Sequence, residues 1–204
     1  MKSLHKFTSL ALLMLFVSMF FVEDAFACSG AYYGWKRANN KNATGLTAKM
    51  CSRDFYYNLD ASKSIFTWNN ISSKVKISQY TFSGDSDNTG DINFHSVELT
   101  GTTIGRAHLY KKNVLGGYSE IDISSSSAQV VQARIDLDPS LLDASNSTQK
   151  TKTVIHETGH ALALMHPLLN NCTARAVMQQ SSSGYANTTV NQHDKNNLIA
   201  KWGS

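Results

Sequence analysis

The sequence predicts an α+β fold, and three observations carry that class. Apolar and polar residues alternate with a period of two at Val75 and Ile77 among Lys74, Lys76 and Ser78, and Val130 to Leu137 has the same β-branched, alternating look. Helical patterns fill the end of the chain, from Ser147 to about Ala163 and from about 192 to 202. Strands therefore come first and helices last, with no internal repeat and no linker that would split the chain.

Taken in order, residues 1–27 read as a secretory signal. Lys2 and Lys6 give a basic start, Leu10 to Val22 is an apolar run broken only by Ser18, and Ala25-Phe26-Ala27 is a cleavage site. The run is shorter than the roughly 20 apolar residues a membrane span needs, and no later stretch qualifies, so no transmembrane segment is expected. Residues 28–204 are expected as one domain, exported and secreted. Lipid attachment through Cys28, which directly follows the cleavage site, stays open as the alternative.

An early strand is expected near Ala31 to Lys36, then irregular chain through the Asn/Gly-rich piece Asn39 to Gly45. Asp60 suits an N-cap, and Ala61, Ile65 and Trp68 share one face of a helix over about 61 to 69. Ser83 to Gly90 reads as a loop and Asp91 to His95 as a short strand. Thr102 to Tyr110 reads as another strand, with a bulge at Gly105. Gly116-Gly117 marks a turn, and Asp138-Pro139 ends the strand that precedes the helices. Ser145 or Ser147 would cap the first long helix. Thr189 or Asn191 would cap the last, which stops at Gly203.

Composition excludes little. The net charge is +4, and no Lys/Arg cluster with interleaved aromatics is present, so nucleic acid is not an expected partner. Cys28, Cys51 and Cys172 make no Cys-x-x-Cys metal pair. Export would pair two of them, Cys28–Cys51 by proximity or Cys51–Cys172 if Cys28 carries lipid.

The chemistry concentrates in His156-Glu157-Thr158-Gly159-His160, followed by His166. On a helix, positions i and i+4 share a face, so His156 and His160 can aim two imidazoles at one point. Imidazole suits zinc, and a catalytic zinc takes three protein ligands and keeps one position open. Glu157, beside the first ligand, can act on water at that open position. His166 lies six residues past His160, about 600° around a continued helix, and so falls off the shared face. The chain must turn after about Ala163 to bring it back.

With these residues in place, the segment resembles the metzincin clan of zinc metalloproteases, whose pattern is H-E-x-x-H-x-x-G-x-x-H with a downstream methionine turn. His156, Glu157, His160 and His166 match, and Met178 in Ala176-Val177-Met178 is similar to the Met-turn. Trp68-Asn69-Asn70, Gly90-Asp91-Ile92, Ile104-Gly105-Arg106-Ala107 and Asp194-Lys195 through Lys201-Trp202-Gly203 resemble small bacterial matrixin-like members in type and order. The resemblance spans roughly 60 to 203. It departs at Ala163, where the family has glycine, and at Gln180, where some members place a tyrosine. The P-R-C-G switch motif is missing. Alanine in a left-handed conformation costs on the order of 1 kcal/mol.

The resemblance implies a zincin-like metzincin fold: a twisted, mixed, mostly parallel sheet above an active-site helix, with a C-terminal helix. It implies a secreted zinc endopeptidase acting on protein or peptide substrates, expected as a monomer. Zinc would sit on His156, His160 and His166, with Glu157 as general base and Met178 as an apolar floor. A peptide would add as a strand to an edge, for which Thr102 to Tyr110 is the candidate. Residues 179 to 189 would wall the pocket. The alternative is a secreted zinc-containing binding module without turnover, which the intact Glu157 disfavours. Asp85, Asp87 and Asp91 could offer calcium oxygen ligands, but Ser96 stands where an EF-hand loop needs glutamate, and a solvated turn is favoured. His95 and His108 lack the His-x-Asp partner of the vertebrate matrixin structural zinc site and read as ordinary residues. His193 is expected on a helix surface.

Overall fold

The structure is a computed structural model that describes residues 31–38, 43–51, 61–84, 89–124, 128–167, 176–180 and 188–204. The signal segment, Cys28, Asp60, Asp85, Asp87, Cys172 and Tyr185 lie outside the described residues. The fold is α+β, built on a mixed, mostly parallel sheet of six strands. In chain order these are β2 (Ala43–Met50), β3 (Val75–Phe82), β4 (Ile92–Ser96), β5 (Gly105–Lys112), β6 (Tyr118–Ile121) and β8 (Gln132–Leu137). They lie side by side as β3-β2-β4-β8-β5-β6. The β3–β2, β2–β4 and β4–β8 pairs are parallel; β8–β5 and β5–β6 are antiparallel. A short parallel pair, β1 (Lys36–Arg37) with β7 (Gln129–Val130), stands apart.

β2 was expected to be irregular chain and is instead a sheet strand. Its pattern is legible from Leu46 on, where Leu46, Ala48 and Met50 point inward. Before that the period breaks. Gly45 adopts φ +70° and the register with β3 shifts on either side of Leu46, so Ala43 and Leu46, three apart, both face the core. Conversely, of the expected 31–36 strand only Lys36 joins a ladder, together with Arg37 just beyond it. Gly105 begins β5 in unbroken register with Leu137, so the bulge expected there is absent. The hairpin strand β6 follows from the Gly116-Gly117 turn.

Four helices complete the described fold. α1 (Ala61–Phe66) is shorter than expected, but Ile65 and Trp68 are fully buried as their spacing requires. The Asn69 side chain, just beyond it, both donates to and accepts from the Ile77 backbone at 2.8 Å, tying α1 to β3. α2 (Pro139–Ala144) grows from the Asp138-Pro139 strand end, with Asp138 as N-cap and proline in the first turn. α3 (Ser147–Ala161) is capped by Asn146 rather than Ser145 or Ser147. Asn146 and Gln149 exchange side-chain-to-backbone bonds in a capping box, a signal that lay in the sequence at N-cap and N3. α4 (Gln192–Trp202) uses Asn191 with Asp194 in the same way and stops at Gly203, φ +93°.

α3 packs across β5 and β8; Val154, Ile155, Thr158 and Ala161 on the helix are buried, as are Phe94, Ile135 and Leu137 on the sheet. Trp68 supports it from the α1 side, donating its indole N–H to the Ile155 carbonyl at 3.0 Å. No helix among the described residues is long and apolar enough to cross a membrane.

Candidate metal centre and its cleft

α3 carries His156, Glu157 and His160, then ends where His166 required it to end. Leu164 N–H donates to the Gly159 carbonyl (2.9 Å) and Ala163 N–H to the His160 carbonyl (3.0 Å), the paired bonds of a Schellman motif. Ala163 holds the position that favours glycine, at φ +73°. The N-terminal segment braces this turn. Tyr33 N–H donates to the Ala163 carbonyl (2.7 Å), Met165 N–H to the Ala31 carbonyl (2.8 Å), and Tyr32 bridges Leu164. α4 locks the brace in turn. Asn197 accepts from Ala31 N–H (3.0 Å), Lys201 donates to the Tyr33 carbonyl (2.8 Å) and to that of Trp35, and the Trp202 indole donates to Leu162 (2.8 Å). These bonds hold a strained alanine in place where free chain would relax.

The turn brings the three imidazoles together. Their Nε2 atoms form a triangle with edges of 2.9 Å (His156–His166), 3.0 Å (His160–His166) and 3.2 Å (His156–His160). Nitrogens on one face of a zinc tetrahedron, at Zn–N of about 2.0–2.1 Å, lie about 3.3 Å apart, so the donor set fits that ion. The other ring nitrogens are directed at carbonyls: His156 Nδ1 at Val177 and His160 Nδ1 at Leu164, each 2.8 Å. That leaves the Nε2 lone pairs to the centre. Burial, then the neighbouring imidazoles, lowers His156 well below its ordinary value and His160 to about 4, so both rings are neutral as ligands must be. Among the described residues this is the one group of three or more His, Cys, Asp or Glu side chains placed to hold a metal ion.

Glu157 is 7% exposed and lines the same cleft, which encloses about 860 Å³. Burial pushes its carboxyl up to about 8, against a bond from the Ala107 amide and the charge of Arg106. A cation on the histidines favours the ionised form instead. The room for this side chain comes from Gly105, where a Cβ would stand 2.9 Å from Glu157 Cγ and 2.9 Å from Thr153 Cγ2.

Met178 lies beneath the helix, against Gly159, and its turn is held by Asp194 of α4. The Asp194 carboxylate accepts from Val177 N–H (2.8 Å), Asn191 N–H (3.2 Å) and Met178 N–H (3.4 Å). Asp194 thereby fixes the Val177 carbonyl that orients His156. Gln179 and Gln180 line the cleft, whereas the expected pocket wall at 181–187 lies outside the described residues. The expected edge strand is an edge over half its length. β6 pairs with Leu109 to Lys112, and Gly105 to His108 have β8 alone beside them among the described residues. Asp138 N–H donates to the Ile104 carbonyl (2.9 Å), a phase that turns the Ala107 backbone groups to the open side.

Other candidates do not join the centre. Asp91 accepts from the Thr47 amide (2.9 Å) and hydroxyl (3.0 Å), and its two companions for calcium are outside the described residues. His108 sits between Glu120 (2.7 Å) and Asp136 (3.5 Å), and His95 is buried on β4. His193, expected at the surface, is buried and bonded to Asn197 (2.9 Å). Tyr33 was not singled out by the sequence. Its ring centroid lies 6.3 Å from that of His160, at the cleft wall.

No protein-family model matches the chain, and no curated protein matches it. Among solved structures it is similar to that of myroilysin, at 14% identity over 80% of this chain and 94% of that one, with a TM-score of 0.47. A likeness that distant says nothing about the site, whose reading rests on the geometry above.

Proposed function

We propose that this chain is a zinc-dependent endopeptidase of metzincin type, closest to small matrixin-like members, with His156, His160 and His166 as metal ligands and Glu157 as general base. The observation that carries the reading is the convergence of three Nε2 atoms within 3.2 Å of one another, in a cleft that Glu157 also lines.

Zinc, when bound, supplies a lowered water pKa and polarises a carbonyl oxygen. The chain does the rest. The open side of β5 accepts an extended peptide as an added strand and presents one carbonyl to the centre. Glu157 takes a proton from the attacking water and delivers it to the departing amine. Val177 and Leu164 hold the imidazoles in the ligand tautomer. The three ligands and the base meet within one chain, so this reading needs no partner subunit, and we take the enzyme as a monomer. The leader pattern of residues 1–27 supports an exported catalytic domain over 28–204, with lipid on Cys28 as the alternative.

The test uses the purified 28–204 chain. Metal analysis should find one zinc per chain. Casein should be cleaved, chelation should stop cleavage, and Glu157→Ala should abolish it while zinc stays bound. Zinc without cleavage would leave the binding-module reading instead. Absence of zinc would remove both.

A further inference from the structure

The hairpin between β5 and β6 ends in an apolar tip. Val114 and Leu115 are fully exposed (102% and 93%) and Tyr118 is 56% exposed; among the described residues these are the exposed large hydrophobics. The tip is nonetheless tightly built. Asn113 N–H donates to the Gly117 carbonyl (2.8 Å) and Gly116 N–H to the Asn113 carbonyl (3.1 Å). The Asn113 side-chain oxygen accepts from Leu115 N–H (3.1 Å) and Gly117 N–H (2.9 Å). Gly116, at φ +86°, supplies the left-handed residue that closes a three-residue hairpin loop. Loop positions of this kind usually carry Asn, Asp, Ser or Gly, whose side chains serve the turn. Here Asn113 does that work, and the Val114 and Leu115 side chains are held out in water, where apolar surface is costly.

The charges beside the tip say what it fits. Lys111 and Lys112 are both exposed and, as strand neighbours, point to opposite faces of the hairpin. Glu120, paired opposite Tyr110, is bonded to His108 (2.7 Å). A convex tip with two apolar side chains, a tyrosine at its base and a cation on each flank has the order of groups met on crossing from anionic headgroups into acyl chains.

We propose that the β5–β6 tip is a docking element for an anionic lipid surface. Val114 and Leu115 enter the boundary of the acyl layer, Tyr118 lies at headgroup depth, and Lys111 and Lys112 pair with lipid phosphates. Because the hairpin is already ordered, docking loses little chain entropy. Two apolar side chains give weak, reversible attachment that needs the charge as a second signal. β5 joins this tip to the cleft: Ala107 borders the cleft and Val114 is seven residues on, roughly 24 Å along an extended strand. The lipid surface would thus hold the cleft at a set distance. The inference does not depend on the site being catalytic.

The test is co-sedimentation of the zinc-loaded 28–204 chain with vesicles of phosphatidylcholine alone or mixed with phosphatidylglycerol. Binding is expected to the mixed vesicles, at least about 10-fold weaker to phosphatidylcholine, and weakened by salt. Val114→Ser with Leu115→Ser should weaken it about 10-fold or more. Lys111→Gln and Lys112→Gln should each weaken it about 5-fold. Unchanged zinc content and near-UV circular dichroism will verify that the variants are folded. The proposal is overturned if the mixed vesicles are not bound, if both lipids bind equally, or if the serine variant binds like the parent. It is also overturned if sedimentation velocity shows the parent dimerising through a tip that the serine variant disables, since a second copy is then the occupant.

Discussion

The Sδ atom of Met178 lies 2.2 Å from where a Cβ on Gly159 would stand. The floor beneath the histidines and the helix that carries them can therefore approach only because residue 159 has no side chain. The Trp68 ring, 2.9 Å from the same point, closes the other side.

Gly159→Ala should accordingly damage the site without touching a ligand. Overpacking of this kind costs about 1–3 kcal/mol, so the urea midpoint should fall and zinc should bind more weakly. Pairing it with Met178→Ala should recover part of both losses. If the single variant has parental stability and zinc affinity, the close contact does not constrain the site.

Gly105→Ala tests the placement of Glu157, the proposed general base, separately from the proposed metal. The added methyl would press on Glu157 Cγ and Thr153 Cγ2. A displacement near 1 Å can lower turnover about 100-fold, so kcat should drop steeply with zinc content unchanged. A variant that loses zinc instead would show that Gly105 supports the whole helix.

Ala163→Gly should stabilise the protein. At φ +73° alanine bears a steric cost of about 1–2 kcal/mol that glycine escapes. Glycine gives back about 0.5–1 kcal/mol through a freer unfolded chain. A net gain of up to about 1.5 kcal/mol is expected in chemical denaturation, and a loss would show that the brace from Tyr33 removes the strain.

That brace has its own test. A chain starting at Gly34 lacks the Tyr33 and Ala31 bonds to the turn that presents His166. Removing such outer-shell support typically lowers metal affinity about 10–100-fold. Competitive zinc titration should show a loss in that range, and equal affinity for the two chains would sink the idea.

Asp194 predicts a pH signature. Burial pushes its carboxyl from 3.8 up to about 6, although three amides pull it down. The folded state thus holds this proton more tightly than the unfolded one. Its contribution is fully present below about pH 3.8 and is lost as pH rises through about 6. Relative to Asp194→Asn, the parent should lose stability over that window. Parallel stability profiles would contradict this. Asp194→Ala, which strips acceptors from Val177, Met178 and Asn191, should cost about 2–4 kcal/mol near neutral pH, and more below the window.

Sequence alone determined how the three histidines can meet, because that placement is local. Helical spacing sets His156 and His160 on one face, and six further residues force a turn before His166 can return. α4 and its Asn191 cap, and β3 and β8, were legible for the same reason: periodicity and caps act over a few residues. β2 was not, since a left-handed Gly45 breaks its period and its inward residues include small alanines.

Tertiary structure alone decided what supports that centre. Nothing in the spacing says that residues 31–33 brace a turn at 163–165, or that Asp194 holds the carbonyl orienting His156. Those bonds join segments far apart in sequence, and their partners are backbone groups that every residue has. Gly105 and Gly159 make the same point. Each looks like an ordinary glycine until another element arrives where its side chain would have been.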